Sequence, residues 1–290
     1  MKYLLLSLLP FICTGTLSSQ ELILDDGIYC EKPLPKDTAT HKYTKDNLSY
    51  KLNRVFVFDY YYQDKYGLKK KFIHTDDISS MENPLNLARY DSKQGNVIDK
   101  VKMEISDDRS FFKHDPNDAQ TVCCYTFIQK NGKSSDSLAP VKKPGTVAPC
   151  GDESTGIIDN KKNVWIHPPR KNTFKILQFN PFPFYVLDET VSNWAWNLET
   201  GGFYMDPRWI KYTQNIKIHF NYNRMPDETI DTPMGKLTCK VTEGTGTAEV
   251  PGENFKTQLK SFYHHDYGFV RLEYTNINST KLIMQLIEAK

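Results

Sequence analysis

The sequence predicts a mainly β protein, an antiparallel and strongly curved sheet or partly open barrel with few or no helices. Three observations carry that expectation. Aromatic residues make up 13% of the 290 residues, with 17 Tyr and 16 Phe, side chains that suit a pleated, half-buried surface. No long window sets apolar residues at i, i+3, i+4 and i+7 behind a credible cap. Short alternating or apolar-aromatic runs recur instead, bounded by Gly, Pro, Asn or Asp.

Residues 1–19 read as a secretory signal. Met1-Lys2-Tyr3 is the basic start, Leu4 begins an apolar run that closes at Ile12, and small polar residues follow to Ser19. That run is about half the ~20 residues that span a bilayer, and no later stretch approaches it. The chain is therefore expected to be exported, periplasmic or extracellular, and not an integral membrane protein. Cys13 follows Pro10, Phe11 and Ile12 rather than the small residues of a lipid-attachment site, so lipid anchoring is disfavoured.

Residues 20–290 are read as a single β domain with a long loop at 130–151, where Ser, Lys, Pro and Gly replace large apolar residues. The alternative is two β subdomains, 20–135 and 152–290. Residues 25–47, polar and broken by prolines, are expected to form an extended arm. Residues 55–62 and 68–74 make a hairpin, 83–89 hold one helical turn after Pro84, and 97–105 and 122–129 are strands. Ile216, Ile218, Phe220 and Tyr222 alternate with Lys217, His219 and Asn221 as in a half-buried antiparallel strand. Pro233-Met234-Gly235 opens a strand at 236–242, and the Gly-rich stretch 243–254 reads as a loop. Residues 255–264 return as a strand. In the closing hairpin Val270, Leu272 and Tyr274 face Leu282, Met284 and Leu286.

A net charge of +2 with 25% charged residues supplies no field for nucleic acid. Lys69-Lys70-Lys71 and Lys161-Lys162 are short enough to read as solvated turns. Without Cys13, five cysteines remain: Cys30, Cys123, Cys124, Cys150 and Cys239. An odd number leaves at least one thiol or an intermolecular bond. Cys123 and Cys124 point to opposite faces of a strand and can take different partners, with Cys150 the first choice for one of them. Cys239 alternates with Leu237 and Val241 and reads as a buried apolar residue.

Candidate ligand-binding residues concentrate between 165 and 196. Pro168-Pro169 stiffens a corner that carries Trp165, His167 and Arg170, a set able to hold an anionic or sugar-like group. Trp165 and His167, two apart, share a face. In Asn180-Pro181-Phe182-Pro183-Phe184 the alternate prolines forbid a central strand, so Phe182 and Phe184 belong to an edge strand. Trp194 and Trp196 share the face of another strand, near Trp209, Tyr204 and Tyr212. The competing reading for every ring is packed core, given the area each must bury.

His264-His265-Asp266 offers two ligands on one strand face, too few for a metal, so none is expected. No cofactor is implied. Motifs for zinc hydrolases, serine hydrolases and phosphate loops are absent, and no catalytic residue is assigned. Asn47-Leu48-Ser49 and Asn278-Ser279-Thr280 match the N-glycosylation acceptor, the second in an expected turn.

From Gly156 onward the chain resembles a group of uncharacterised exported β-rich bacterial proteins. The resemblance rests on Trp165-Ile166-His167-Pro168-Pro169-Arg170, Asn180-Pro181-Phe182-Pro183, Pro233-Met234-Gly235, Tyr267-Gly268-Phe269-Val270 and Tyr274-Thr275-Asn276-Ile277. It covers about half the chain and implies no activity. The closing pattern also resembles half-barrel envelope proteins of the lipoprotein-carrier type, whose curved sheet wraps an apolar cavity. The first expectation is accordingly a non-catalytic envelope protein holding an apolar or amphipathic ligand, such as a lipid, in a concave sheet. A structural adaptor that binds an envelope protein comes second, marked by a filled concavity and an uncovered strand edge. A glycan- or lipid-acting hydrolase comes third.

Overall fold

The computed structural model describes residues 21–31, 47–74, 87–106, 120–133, 151–202, 208–212 and 214–290. The expected signal, Cys150, most of the loop at 130–151 and most of the expected helical turn lie outside them.

The first half carries β1 (Leu22–Asp25), β2 (Ile28–Glu31), β3 (Val55–Gln63), β4 (Lys69–Phe72), β5 (Leu87–Arg89), β6 (Ile98–Ser106) and β7 (Thr121–Gln129). The second carries β8 (Glu153–Asp159), β9 (Asn163–Ile166), a 3-10 helix (Asn172–Phe179), β10 (Phe184–Val186) and β11 (Asn193–Thr200). After them come β12 (Ile216–Thr232), β13 (Gly235–Val250), β14 (Glu253–His264), β15 (Gly268–Thr275) and β16 (Lys281–Ala289). Twelve of these strands follow one antiparallel path, β10-β9-β8-β7-β6-β3-β16-β15-β14-β13-β12-β11. The sheet curls into a nearly closed barrel with one unsealed seam, between β10 and β11. The short strands β4 and β5 extend from β3, and β1–β2 is a separate hairpin.

Alternation sets the inner face. Tyr60 stands opposite Met284 and Tyr62 opposite Leu282, where β3 meets β16; Leu272 faces Met284 and Tyr274 faces Leu282, as the closing hairpin requires. All are buried.

The chain fills this interior itself. Phe174 of the 3-10 helix lies 4.9 Å from the rings of Phe72 and Phe127 and 5.0 Å from Tyr60. Ile176, Leu177 and Phe179 are wholly buried. Thr257 donates to the Phe179 carbonyl, and Asn180 donates to Asn276 Oδ1. Residues 47–54 enter elsewhere: Tyr50 is fully buried, its hydroxyl accepts from Phe269 N–H, and Asp159 accepts from Ser49 N–H and Tyr50 N–H.

Four local expectations change. Residues 243–250 continue β13 rather than form a loop, because inward-facing Gly244 and Gly246 leave room for the rings of Tyr222 and Phe220. The start of the expected arm is the β1–β2 hairpin, closed by Asp26-Gly27 with both φ positive (43° and 92°), the geometry of a two-residue hairpin turn. Leu87–Arg89, the described end of the expected helical turn, is strand β5. Lys71 is not in a solvated turn: it lies in β4, buried, with Nζ 2.5 Å from Asp59 Oδ1 and 2.6 Å from the Asp99 carbonyl. A buried ammonium persists because it is paired and hydrogen-bonded.

Candidate functional site

The unsealed seam gathers the expected rings Trp165, Phe182, Phe184, Trp194 and Trp196, with His167 against Phe182, while Arg170 turns to Glu153 of β8. Hydrogen-bond phase shows which backbone groups face the seam. Arg224 N–H donates to the Ser192 carbonyl, so β11 pairs with β12 through its even residues. The N–H and C=O groups of Asn193, Ala195, Asn197 and Glu199 therefore point across the open edge. On the other side, Ile166 N–H donates to Pro183 O and Leu187 N–H to Lys162 O. Phe184 and Val186 of β10 consequently turn their backbone groups toward the seam. β10 is an edge strand of the sheet, as expected from Pro181 and Pro183 before it.

An aromatic layer lies behind these edges. Trp165 contacts Trp196 edge-on at 5.6 Å and Phe182 at 5.7 Å, and Phe182 lies 5.3 Å from Trp196. Phe184 meets Trp194 at 5.9 Å, and Trp194 stacks on Tyr222 at 6.0 Å. Trp196 Nε1–H donates to the Tyr222 hydroxyl, which donates to the Phe182 carbonyl. Trp165, Phe182, Phe184 and Trp196 are buried, and Trp194 is half-buried. Trp209 is also buried, whereas Tyr204 lies outside the described residues.

The polar members of the corner engage one another. His167 Nδ1 lies 2.8 Å from the Pro168 carbonyl and Nε2 lies 3.0 Å from Arg170 Nη1. Both contacts are satisfied when Nδ1–H donates and Nε2 accepts from the guanidinium. Burial and the adjacent Arg170 charge hold His167 neutral, its pKa lowered to about 3. Glu153 accepts from Arg170 N–H, Lys171 N–H and Arg170 Nε. Burial outweighs these donors and raises its pKa to about 7. With both imidazole nitrogens engaged, this corner works as an anchor for the Pro168-Pro169 bend.

Two residues that sequence reading passed over control the seam. Arg224, at the end of the alternating run of β12, reaches back across it. Its Nε donates to Val191 O at 3.0 Å, and its Nη2 donates to Val186 O at 2.7 Å and Asp188 O at 3.0 Å. Nη1 donates to the Tyr185 hydroxyl, and the guanidinium lies 4.9 Å from that ring. Gly27, at the tip of the β1–β2 hairpin, abuts the edge of β11. A Cβ there would fall 2.3 Å from the Ala195 carbonyl oxygen. The hairpin is also tied to the β8–β9 turn, where Tyr29 N–H donates to Asn163 Oδ1 and Asn160 Nδ2 donates to Tyr29 O. Only the Asp-Gly pair hinted at this strap; nothing local marks Arg224.

Cys239 is buried, its thiol pushed up to about 11 by burial, and Cys123 is a second buried thiol. Cys124 is disulfide-bonded, to a partner outside the described residues. Asn47 is buried and bonded to Tyr50 O and Thr121, which closes the first acceptor sequence to modification, whereas Asn278 is exposed in its turn.

No protein family and no curated protein matches the chain. Among solved structures, it is similar to a protein from Bacteroides fragilis provisionally described as exported with a YmcC-like fold. The identity is 12% and the TM-score 0.43, over 85% of this chain and 99% of that one. A protein from Parabacteroides distasonis provisionally described as a lipoprotein is similar at 12% identity and a TM-score of 0.37, over 84% of this chain and 97% of that one.

Proposed function

We propose that this is an exported, non-catalytic adaptor of the cell envelope that captures an extended peptide segment of a partner protein along the open edge of β11. One observation carries the reading. The barrel interior is occupied by the 3-10 helix and Tyr50, while the backbone groups of Asn197 and Glu199 face an edge that no strand covers among the described residues. A partner strand added there gains main-chain hydrogen bonds, and the aromatic layer behind the edge gives its alternate side chains a surface. Export rests on the basic-apolar-polar order of residues 1–19.

Asn197→Pro tests the proposal. Proline at this position removes an N–H that faces the seam and leaves the β11–β12 ladder intact. A photo-crosslinker at exposed Glu199 should trap one partner in the envelope of the native host, and the Asn197→Pro background should abolish that product. Equal trapping in both backgrounds overturns strand addition. A second reading keeps a small apolar ligand, favoured by the Trp165–Phe182–Trp196 layer beside the seam. Native mass spectrometry of protein purified without detergent separates the two: a stoichiometric adduct lost on denaturation identifies a retained ligand.

A further inference from the structure

His264, His265 and Asp266 were expected to lie along a strand, which would turn His265 away from the other two. The structure places them differently. β14 ends at His264, residues 265–267 form the turn, and Gly268 opens β15 at φ 69°. This is a three-residue hairpin loop closed by a glycine in the left-handed region. The bend brings one donor atom from each of the three side chains to within 4.8 Å of the others. His265 Nε2 and Asp266 Oδ1 are 2.9 Å apart, an ion-pair distance, and parting them to the roughly 3.4 Å between two tetrahedral ligands at about 2.1 Å takes only a small side-chain rotation.

The backbone of the turn is held from behind, so an incoming ion has mainly the exposed His265 and Asp266 side chains to order. Ser49 Oγ donates to the His265 carbonyl at 2.8 Å, and Arg54 Nη1 donates to the Asp266 carbonyl at 2.8 Å. Tyr267 N–H donates to His264 O, and the His264 ring stacks on Tyr267 at 5.1 Å. Two imidazoles and a carboxylate suit zinc and its first-row neighbours and fit poorly with calcium or magnesium, which take oxygen donors. The Arg54 guanidinium at the Asp266 carbonyl is the one opposing charge in these contacts, and it weakens affinity without blocking the donors.

We infer that the β14–β15 turn binds one divalent transition-metal ion of the zinc class through His264, His265 and Asp266, with the remaining coordination positions open to solvent or to a partner's donor. This site shares no ligand residue with the seam.

Calorimetric titration of the metal-stripped mature protein with Zn²⁺ at pH 7.5 tests it. One ion per chain should bind, and His264→Ala, His265→Ala and Asp266→Asn should each weaken binding by roughly 10-fold or more. His219→Ala, on β12, should leave it unchanged. Co²⁺ substitution should give nitrogen- and oxygen-ligated visible bands without the near-ultraviolet charge transfer of a thiolate. The asparagine variant keeps the turn's shape, so its loss of binding reads as loss of a ligand. Absence of binding to the wild type overturns the site, as does a His264→Ala/His265→Ala variant that titrates like the wild type, or a thiolate band from a cysteine.

Discussion

Glu153 and His167 sit in the same buried corner and respond to acid in opposite ways. Glu153 has a folded pKa of about 7 against an ordinary 4.5, so the native protein holds a proton that the unfolded chain releases. The stability linked to it is full below pH 4.5 and is lost as pH rises through 7. His167, lowered to about 3 from 6.5, contributes stability above pH 6.5 that is lost as pH falls toward 3. Comparing wild type with Glu153→Gln cancels the histidine and isolates the carboxyl. Between pH 8 and pH 4.5 the difference should move in favour of the wild type by up to about 3 kcal/mol, at 1.36 kcal/mol per pKa unit. Urea midpoints at the two pH values measure it, and parallel pH profiles would show that Glu153 ionises normally. The corner's residue types were legible because Pro168-Pro169 marks it. Glu153 was not, because its partner Arg170 lies 17 residues away and is brought to it by the β8–β9 hairpin.

At the scale of elements, β10 has three residues, and beyond β9 it is held by its rings against Trp194, Tyr222 and Tyr263 and by the polar latch of Arg224. Four donated hydrogen bonds tie β10 and the following loop to β12. Arg224→Ala leaves Val186 O and the Tyr185 hydroxyl without their charged donor, at a cost of about 2–3 kcal/mol. The loss should be local as well as global. Amide exchange in residues 184–191 should accelerate more than in β14 or β15, and Arg224→Lys should rescue little, since one ammonium cannot span these acceptors. Uniform acceleration across the barrel would mean that Arg224 serves stability without latching the seam. The same elements show where pattern reading works. The strict alternation of Ile216, Ile218, Phe220 and Tyr222 announced β12, and Pro181 and Pro183 announced an edge. It failed where one element is shaped by another. Gly244 and Gly246 weaken the strand signal of β13 locally, yet they are the residues that admit the rings of β12. β12 itself runs past Pro226 to Thr232 because a register shift between Met225 and Glu228 absorbs the proline.

Across the whole molecule the curved, antiparallel, nearly closed sheet was legible, because alternation and turn residues recur along the chain. Its filled interior was not. Phe174, Ile176, Leu177 and Phe179 occupy a segment without strand alternation, and only their three-dimensional position reveals them as the lining of the lumen. This arrangement decides how the protein should unfold. β3 pairs with β16 and β7 with β8, so the strands of the first half lie within the sheet of the second. Phe174 touches Tyr60, Phe72 and Phe127, while Thr257 holds the other end of the same 3-10 helix. Cutting the chain near residues 135–151 would break two ladders and strip that helix of half its contacts. Unfolding should then be one cooperative transition. Far-ultraviolet circular dichroism and tryptophan fluorescence, which reports mainly on the seam, should give coincident urea curves. Phe174→Ala should shift both together, by about 3–5 kcal/mol for a large buried ring. Separated curves, or a fluorescence change that precedes the loss of β signal while Phe174→Ala moves only one of them, would favour the division into subdomains at 20–135 and 152–290.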